Sequence, residues 1–390
     1  MSRADHIPTD ACPTEAARGP ASPGRRHWLA GGGALGASLL LPGALGAARA
    51  QAAPVIGVIY VGPRGDFGYN QAQAAAAAAL KTQGFKVVEE ENVPETAAVQ
   101  KTMEAMIRQD GATLLFPTSF GYFDPHMLKM AAKYPKVRFA HCGGLWTAGK
   151  HPANTGSYFG YIDECQYLAG IVAAHSSKSK KLGFVAAKPI PQILRNCNAF
   201  TMGARSVDPS ITTRIIFTGE WSMPVKEAEA AGSLIDQGVD VLTCHVDSPK
   251  VIVETAEKRG VFCSGYHASQ AALAPKGYLT GAEWDWSTPY AAQIAALKSG
   301  APMPNLLRGG LKDGYVKMSP YGAAVGAAAR KQADAVKAAM LKSGYVIFKG
   351  GLKDNQGKVV IPAGAGLGQF DPLLEQMNYL VEGVVGSLPG

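Results

Sequence analysis

Residues 54–70 read PVIGVIYVGPRGDFGYN: a buried strand over 54–61, then the loop GPRGDFGYN, with an Ala-rich helix beyond it from about Gln71 to Thr82. A short β-branched run that leads into a helix is half of a βαβ unit, the repeating element of a parallel sheet. The pattern recurs downstream. KVVEEENV (86–93) and TLLFPTS (113–119) are further strands, with helices from about Glu95 to Gln109 and near Pro125–Lys133. VRFAHC (137–142) and SYFGYI (157–162) complete a first set.

An apolar helix, Tyr167–His175, separates this set from a second of the same kind. Its strands are LGFVAA (182–187), TRIIFTG (213–219), DVLTCH (240–245), VFCSGY (261–266) and YLTGAEW (278–284), with helices around 191–206, 224–237 and 249–259. Two successive sets of similar size predict an α/β protein of two doubly wound lobes. A length of 390 residues suits two cores of ordinary size, and 47% apolar with 17% charged residues excludes a disordered chain. The stretch 286–390 is too short for a third domain. It holds a helix (288–299), the strand-like GYVKMSP, a long Ala-rich helix (322–343) and a hairpin signal at Asp354-Asn355-Gln356-Gly357. These read as returns that complete both lobes and form a hinge. The expected partition gives 54–160 with about 286–340 to the first lobe, and 161–285 with about 344–388 to the second.

The first fifty residues form a separate block. A polar Pro/Ala-rich leader (1–24) precedes Arg25-Arg26-His27-Trp28-Leu29, a weakly apolar Gly/Ala/Leu run (30–48) and the small-residue pattern Ala48-Arg49-Ala50. Paired arginines, an apolar run and an A-x-A site are the parts of an export signal of the twin-arginine type, cleaved near Ala50. The run is interrupted by Gly31–Gly33 and Pro42, and it is shorter than a membrane span needs. The expected product is a soluble periplasmic protein and a monomer. Cys142, Cys165, Cys197, Cys244 and Cys263 remain after the leader, an odd number without a CxxC pair, and read as free buried thiols. The formal charge is +8; residues 1–50 carry five basic and three acidic groups, which leaves about +6. The longest basic cluster, Lys178 to Lys181, falls between a helix and a strand and reads as a solvated turn, with no nucleic-acid footprint.

In open parallel sheets ligands bind outside the carboxyl ends of the strands. The loops there carry Asp66, Phe67, Tyr69 and Asn70 after the first strand, and Ser119, Phe120 and Asp124 after the third. In the second set they carry Arg195, Trp221, Asp247, Tyr266, His267 and Trp284. Aromatic rings beside hydrogen-bonding groups suit a flat polar molecule, since one base stacked on an aromatic gains about 1–3 kcal/mol. A strongly anionic ligand would ask for clustered Arg and Lys, which these loops lack. Asp66 and Asp124 also stand near helix starts, where capping explains them equally well. Trp284 and Trp286 alternate at strand spacing, so one faces the cleft and the other packs. Lone histidines such as His141 and His175 read as satisfied core or surface groups. His245 and Asp247 lack a third metal ligand nearby. With no G-x-S-x-G elbow, P-loop or HExxH, nothing points to an enzyme, a metal or a cofactor.

The segments GDFGYN (65–70), TSFGYFDP (118–125), YFGYIDECQYLAGIVA (158–173), LGFVAAKPIPQILRNCNAFTMGARSVDP (182–209), LIDQGVDVLTCHVDSP (234–249) and GGLKDGYVKMSP (309–320) resemble the BMP (basic membrane protein) family of ABC-transporter solute-binding proteins. The resemblance implies a type I periplasmic binding-protein fold, with two Rossmann-like lobes joined by three crossings. It also implies a small purine-like ligand and membrane permease partners. In the family the loop after the first strand supplies an aromatic stacker, an Asp and an Asn, which match Phe67 or Tyr69, Asp66 and Asn70; the acid after the third strand matches Asp124. Nucleoside-binding members read G-V-D-S-D in a late loop. This chain reads Gly265-Tyr266-His267-Ala268-Ser269, so His267 stands for a ribose-binding carboxylate, and Trp284 stands for a lysine of the next loop. Both departures favour a bare planar ring at least as much as a nucleoside. A sugar receptor on the same fold and an exported nucleoside hydrolase are the rival readings.

Overall fold

The computed structural model describes residues 53–342 and 344–388. The export-signal features, from the leader to Ala50, lie outside the described residues. The first sheet takes β1 (Val55–Ile59), β2 (Lys86–Glu90), β3 (Ala112–Pro117), β4 (Arg138–Cys142) and β5 (Thr155–Gly160). Between them run α1 (Tyr69–Thr82), α2 (Ala97–Arg108) and α3 (Leu128–Lys133). Helix α4 (Asp163–Ser176) then opens the second lobe. There β6 (Lys181–Ala186), α5 (Pro191–Arg205), β7 (Thr212–Phe217), α6 (Pro224–Asp236) and β8 (Val241–His245) are followed by α7 (Lys250–Arg259), β9 (Phe262–His267) and β10 (Tyr278–Trp284). After α8 (Ser287–Ser299), β11 (Leu306–Gly309) returns to the first sheet, and β12 (Val316–Met318) to the second.

The strand orders are β11-β5-β4-β3-β1-β2 and β12-β10-β9-β8-β6-β7-β15, where β15 is Val384–Val385. Every pairing is parallel except β12 on β10. In each lobe the first strand is central and the chain winds outward in both directions, so each sheet has a switch point, at β1/β3 and at β6/β8. This is the two-lobe α/β periplasmic binding-protein fold. Three crossings join the lobes, at 161–162, 285–286 and 310–315. They are bound together by Tyr161 N–H to Gly309 O (2.9 Å), Asp285 N–H to Tyr315 O (2.8 Å) and Leu311 N–H to the Glu164 carboxylate (2.7 Å).

Helix α4 is apolar on nearly all sides and is buried from Cys165 to Ala174, as an all-round hydrophobic helix must be. Its backbone touches that of α5: a Cβ on Gly170 would stand 2.0 Å from Phe200 O, and one on Gly203 would stand 1.9 Å from Tyr167 O. All five cysteines after the leader are free and buried.

The expected partition needs one correction. The return to the first lobe ends at β11. Strand β12 is hydrogen-bonded to β10, and the long helix α9 (Ala327–Lys342) packs on α4, so 310–340 belongs to the second lobe. Strand β12 is three residues long and antiparallel, features that periodicity cannot assign to a sheet. The hairpin signal does form a hairpin, between β13 (Leu352–Lys353) and β14 (Val359–Ile361).

Candidate functional site

The carboxyl ends of the two sheets converge on one cavity of about 240 Å³. The first lobe lines it with Val61, Tyr69, Glu95, Ser119, Phe120, Cys142, Gly143 and Phe159. The second lobe contributes Ile190, Gln192, Trp221, His245, Asp247, His267, Trp284 and Trp286. Each stands at or just beyond a strand end, or, for Tyr69, Gln192 and Trp286, at a helix start. Six of these side chains are large aromatics, and none is Arg or Lys.

Seven of the residues singled out from sequence therefore share the cavity: Tyr69, Ser119, Phe120, Trp221, Asp247, His267 and Trp284. Six do not line it. The carboxylate of Asp66 accepts from the N–H groups of Gly68 (2.8 Å), Asn70 (3.0 Å) and Gln71 (2.9 Å) and from Asn70 Nδ2 (2.9 Å). It caps α1 and has no remaining reach. Asn70 is buried and spans from Asp66 to the N–H of Gly62 (3.4 Å). Phe67 lies in the left-handed backbone region (φ +55°) with its ring beneath the Lys250 ammonium, at the seam between lobes. Asp124 is exposed and precedes Pro125 across a cis peptide bond. Arg195 is buried at the first crossing, 3.0 Å from Asp163, stacked on the Tyr161 ring and donating to Gln369 O. Tyr266 lies beneath the cavity floor, accepting from Asn196 Nδ2 and touching His245.

Position within the fold explains these outcomes. A residue in the first turn after a strand either caps the helix or faces the cleft, and sequence spacing does not separate the two roles. Trp286 shows the converse. Strand β10 ends at Trp284 and the chain turns into α8, so strand alternation no longer applies and both indoles reach the cavity, stacked at 4.7 Å. Glycine 160 makes room for them, since a Cβ there would meet the Trp284 ring at 2.8 Å. Glu95 was legible only as a helix start; it accepts from Ser119 Oγ (2.5 Å) and Gly121 N–H (2.7 Å). His141 is a satisfied core group, bonded to Ser119 O (2.9 Å), and His175 an exposed one, bonded to Gln332.

Burial disfavours charge on three polar groups of the cavity, Asp247, His245 and His267. Burial, reinforced by the charges of Asp66, Glu95 and Glu227 and only partly offset by Lys188, raises the Asp247 carboxyl to about 8. Among the described residues no protein group donates to that carboxyl. Burial drives His245 well below the usual imidazole range, and His267 down to about 3. Trp284 Nε1–H donates to His267 Nδ1 at 2.7 Å. Among the described residues the other imidazole nitrogen, His267 Nε2, has no partner, and neither has Trp286 Nε1. The wall thus combines six aromatic rings, two N–H groups without a partner among the described residues, and the carboxyls of Asp247 and Glu95.

The lobes meet around this cavity. Tyr69 N–H donates to Asp247 O (2.9 Å), Ser248 Oγ to Asp66 O (2.7 Å) and Gln270 Nε2 to Phe67 O (2.5 Å).

Residues 53–347 match the family described as ABC transporter substrate-binding protein, PnrA-like. The chain belongs to the Bmp family. Among curated relatives, this Bmp-family chain is 35% identical over 348 residues to a purine-binding protein of Brucella abortus, covering 88% of this chain and 96% of that one. It is 30% identical over 332 residues to a putative ABC transporter glucose-binding protein of Haloferax volcanii, covering 85% and 80% of the two chains. Among solved structures, a solute-binding protein of an ABC transporter from Conexibacter woesei superposes with a TM-score of 0.64 at 22% identity, over 74% of this chain and 97% of that one. One from Aeropyrum pernix gives 0.63 at 22% identity, over 74% and 91%. The Bmp-family fold and the ABC-transporter substrate-binding class follow. Among the described residues no helix is long and apolar enough to cross a membrane.

Proposed function

We propose that this Bmp-family protein is the exported receptor of an ABC importer, and that it captures a purine base or nucleoside between its lobes without transforming it. The observation that carries the reading is the cavity wall: six aromatic side chains, the Asp247 carboxyl raised to about 8, and N–H donors without a partner, with no Arg or Lys. The Glu95 carboxylate is already held by Ser119 and Gly121. A protonated Asp247 presents one donor and one acceptor side by side, the pattern of an amide, which matches the donor–acceptor edge of a base. Six aromatic faces, three of them indoles, favour a flat ring over a sugar, whose rim would need polar partners all round. The purine-binding Brucella relative supports the same reading.

In this proposal an open form exposes both linings, the ligand bridges the lobes, and closure about the three crossings buries it. The inter-lobe hydrogen bonds around Gly68 then form, and the closed shape is what the membrane permease recognises. The twin-arginine leader would deliver the protein to the periplasm, free of the membrane once cleaved.

Isothermal titration with adenine, guanine, hypoxanthine, xanthine, their nucleosides and glucose tests this. Micromolar binding of one or more purines is expected, with glucose inert. The Trp221→Ala variant should weaken that binding by about tenfold, the loss of one stacking ring. Glucose binding with silent purines would refute the proposal, and release of free base from a nucleoside during incubation would refute its non-catalytic part.

A further inference from the structure

The pair formed by His267 and Trp284 occupies the positions where the family resemblance leads one to expect a carboxylate and a lysine. Three features of His267 are unusual together. Its backbone lies in the left-handed region (φ +70°), which a non-glycine residue adopts at a cost and which gathers at functional sites. The residue is 3% exposed, yet among the described residues its Nε2 has no hydrogen-bond partner. Its Nδ1 receives the Trp284 indole N–H at 2.7 Å. An indole nitrogen only donates, so Nδ1 must be the lone-pair nitrogen and Nε2 must carry the hydrogen in the neutral ring. The neighbouring His245 is set in the same sense, since its Nδ1 faces the Asn196 Nδ2 amide, which only donates, but its ring is turned to the Tyr266 hydroxyl, 3.1 Å from both of its nitrogens.

We infer that Trp284 is a positioning residue that fixes His267 as the Nε2–H tautomer, and that His267 thereby recognises a ring-nitrogen or carbonyl acceptor on the ligand. A buried donor left without an acceptor is costly, so a ligand that supplies one is selected over an isostere that does not. The Val246 backbone is close enough to favour a protonated ring, and among the described residues it is the competing acceptor that a ligand must displace, although Nε2 makes no hydrogen bond of good geometry. Trp286 Nε1–H is a second unpartnered donor in the same wall. The ligand edge on this side is therefore acceptor-rich. The site as the resemblance describes it, with a carboxylate here, would demand hydroxyl donors at the same place. His267 inverts that polarity. The acceptor half of this inference rests on the purine reading of the cavity; the tautomer half does not.

The test uses the mature protein with 15N-labelled histidine. In the ligand-free wild type, the His267 resonances should show Nδ1 unprotonated and Nε2 protonated, and Trp284→Phe, which keeps a ring but removes the N–H, should shift them to a tautomer mixture. Titration with the tightest-binding purine base and its 1-, 3- and 7-deaza analogues should find at least one analogue weaker by about tenfold or more. In His267→Gly, which tolerates the positive φ, and in Trp284→Phe, that analogue's penalty should shrink to within about threefold. A His267 carrying its hydrogen on Nδ1 overturns the inference. So does a deaza series that binds within threefold of the parent, or a penalty that Trp284→Phe leaves intact. If no purine binds the wild type, the functional proposal and the acceptor half fall together, while the nitrogen spectrum still decides the tautomer.

Discussion

Alanine at Gly68 is the smallest change that should hold the lobes apart. A Cβ there would stand 1.9 Å from the Asp247 carbonyl oxygen and 2.8 Å from Pro249 Cδ, both on the opposite lobe. Ordinary carbon–oxygen contact begins near 3.3 Å, so the two loops must separate by roughly 1.4 Å. That displacement exceeds what a hydrogen bond tolerates, and it acts where Tyr69 N–H meets Asp247 O at 2.9 Å, Ser248 Oγ meets Asp66 O at 2.7 Å and Gln270 Nε2 meets Phe67 O at 2.5 Å. At about 0.5–1.5 kcal/mol each, losing the three removes about 1.5–4.5 kcal/mol from the closed form. If closure buries the ligand as proposed, affinity should fall by roughly tenfold to a thousandfold. Isothermal titration of Gly68→Ala with the purine that binds wild type measures this, while the ligand-free melting temperature should stay within a degree or two because neither lobe's core is touched. Affinity within twofold of wild type would show that the lobes need not meet at this seam, and the closure argument would fail.

Two other outcomes follow from the same geometry. Asp66→Ala should lower stability by about 1–2 kcal/mol, read as a thermal midpoint several degrees lower, because four donors at the start of α1 lose their acceptor; a ligand-contacting carboxylate would instead cost affinity and leave the midpoint alone. The Asp247 carboxyl, raised to about 8, binds a proton in the folded chain that the unfolded chain releases near 4, so its contribution is fully present below about pH 4 and is lost as pH rises through 8. His267, lowered to about 3, acts in the opposite sense, with stability present above 6.5 and lost as pH falls toward 3. Above pH 6.5 the imidazole no longer contributes, while Asp247 and, up to about 7, the buried Glu164 carboxyl act in the same sense. Wild-type stability should therefore decline between pH 6.5 and 8.5, and Asp247→Asn should make that decline shallower, most of all above pH 7, in denaturant titrations. An unaltered slope in the variant would show that Asp247 is ionised throughout.

The two βαβ sets, the switch-point logic and the buried thiols were legible in the chain because they rest on local periodicity. A strand such as VIGVI buries itself whatever lies beyond it, and helix 163–176 is apolar on all sides. The candidate site was legible only as far as strand ends predict it. Tyr69, Ser119, Phe120, Trp221, Asp247, His267 and Trp284 were reached that way. Asp66 and Asn70 fall outside the cavity because a carboxylate one turn before a helix finds local donors first, the capping role that spacing could not separate from binding. Strand alternation, which admits only one of Trp284 and Trp286 to the cleft, ends with β10, so both indoles line the cavity.

What sequence alone determined was the class: two parallel α/β lobes with aromatic and polar residues following the strands, since side-chain period and turn chemistry are properties of a few consecutive residues. Tertiary structure decided which of those residues share a cavity, that 310–340 joins the second lobe, and that an indole 17 positions away sets the protonated nitrogen of His267. These depend on contacts between segments far apart in the chain, and the energies that select them arise only once both sheets are assembled and water has been excluded from between them.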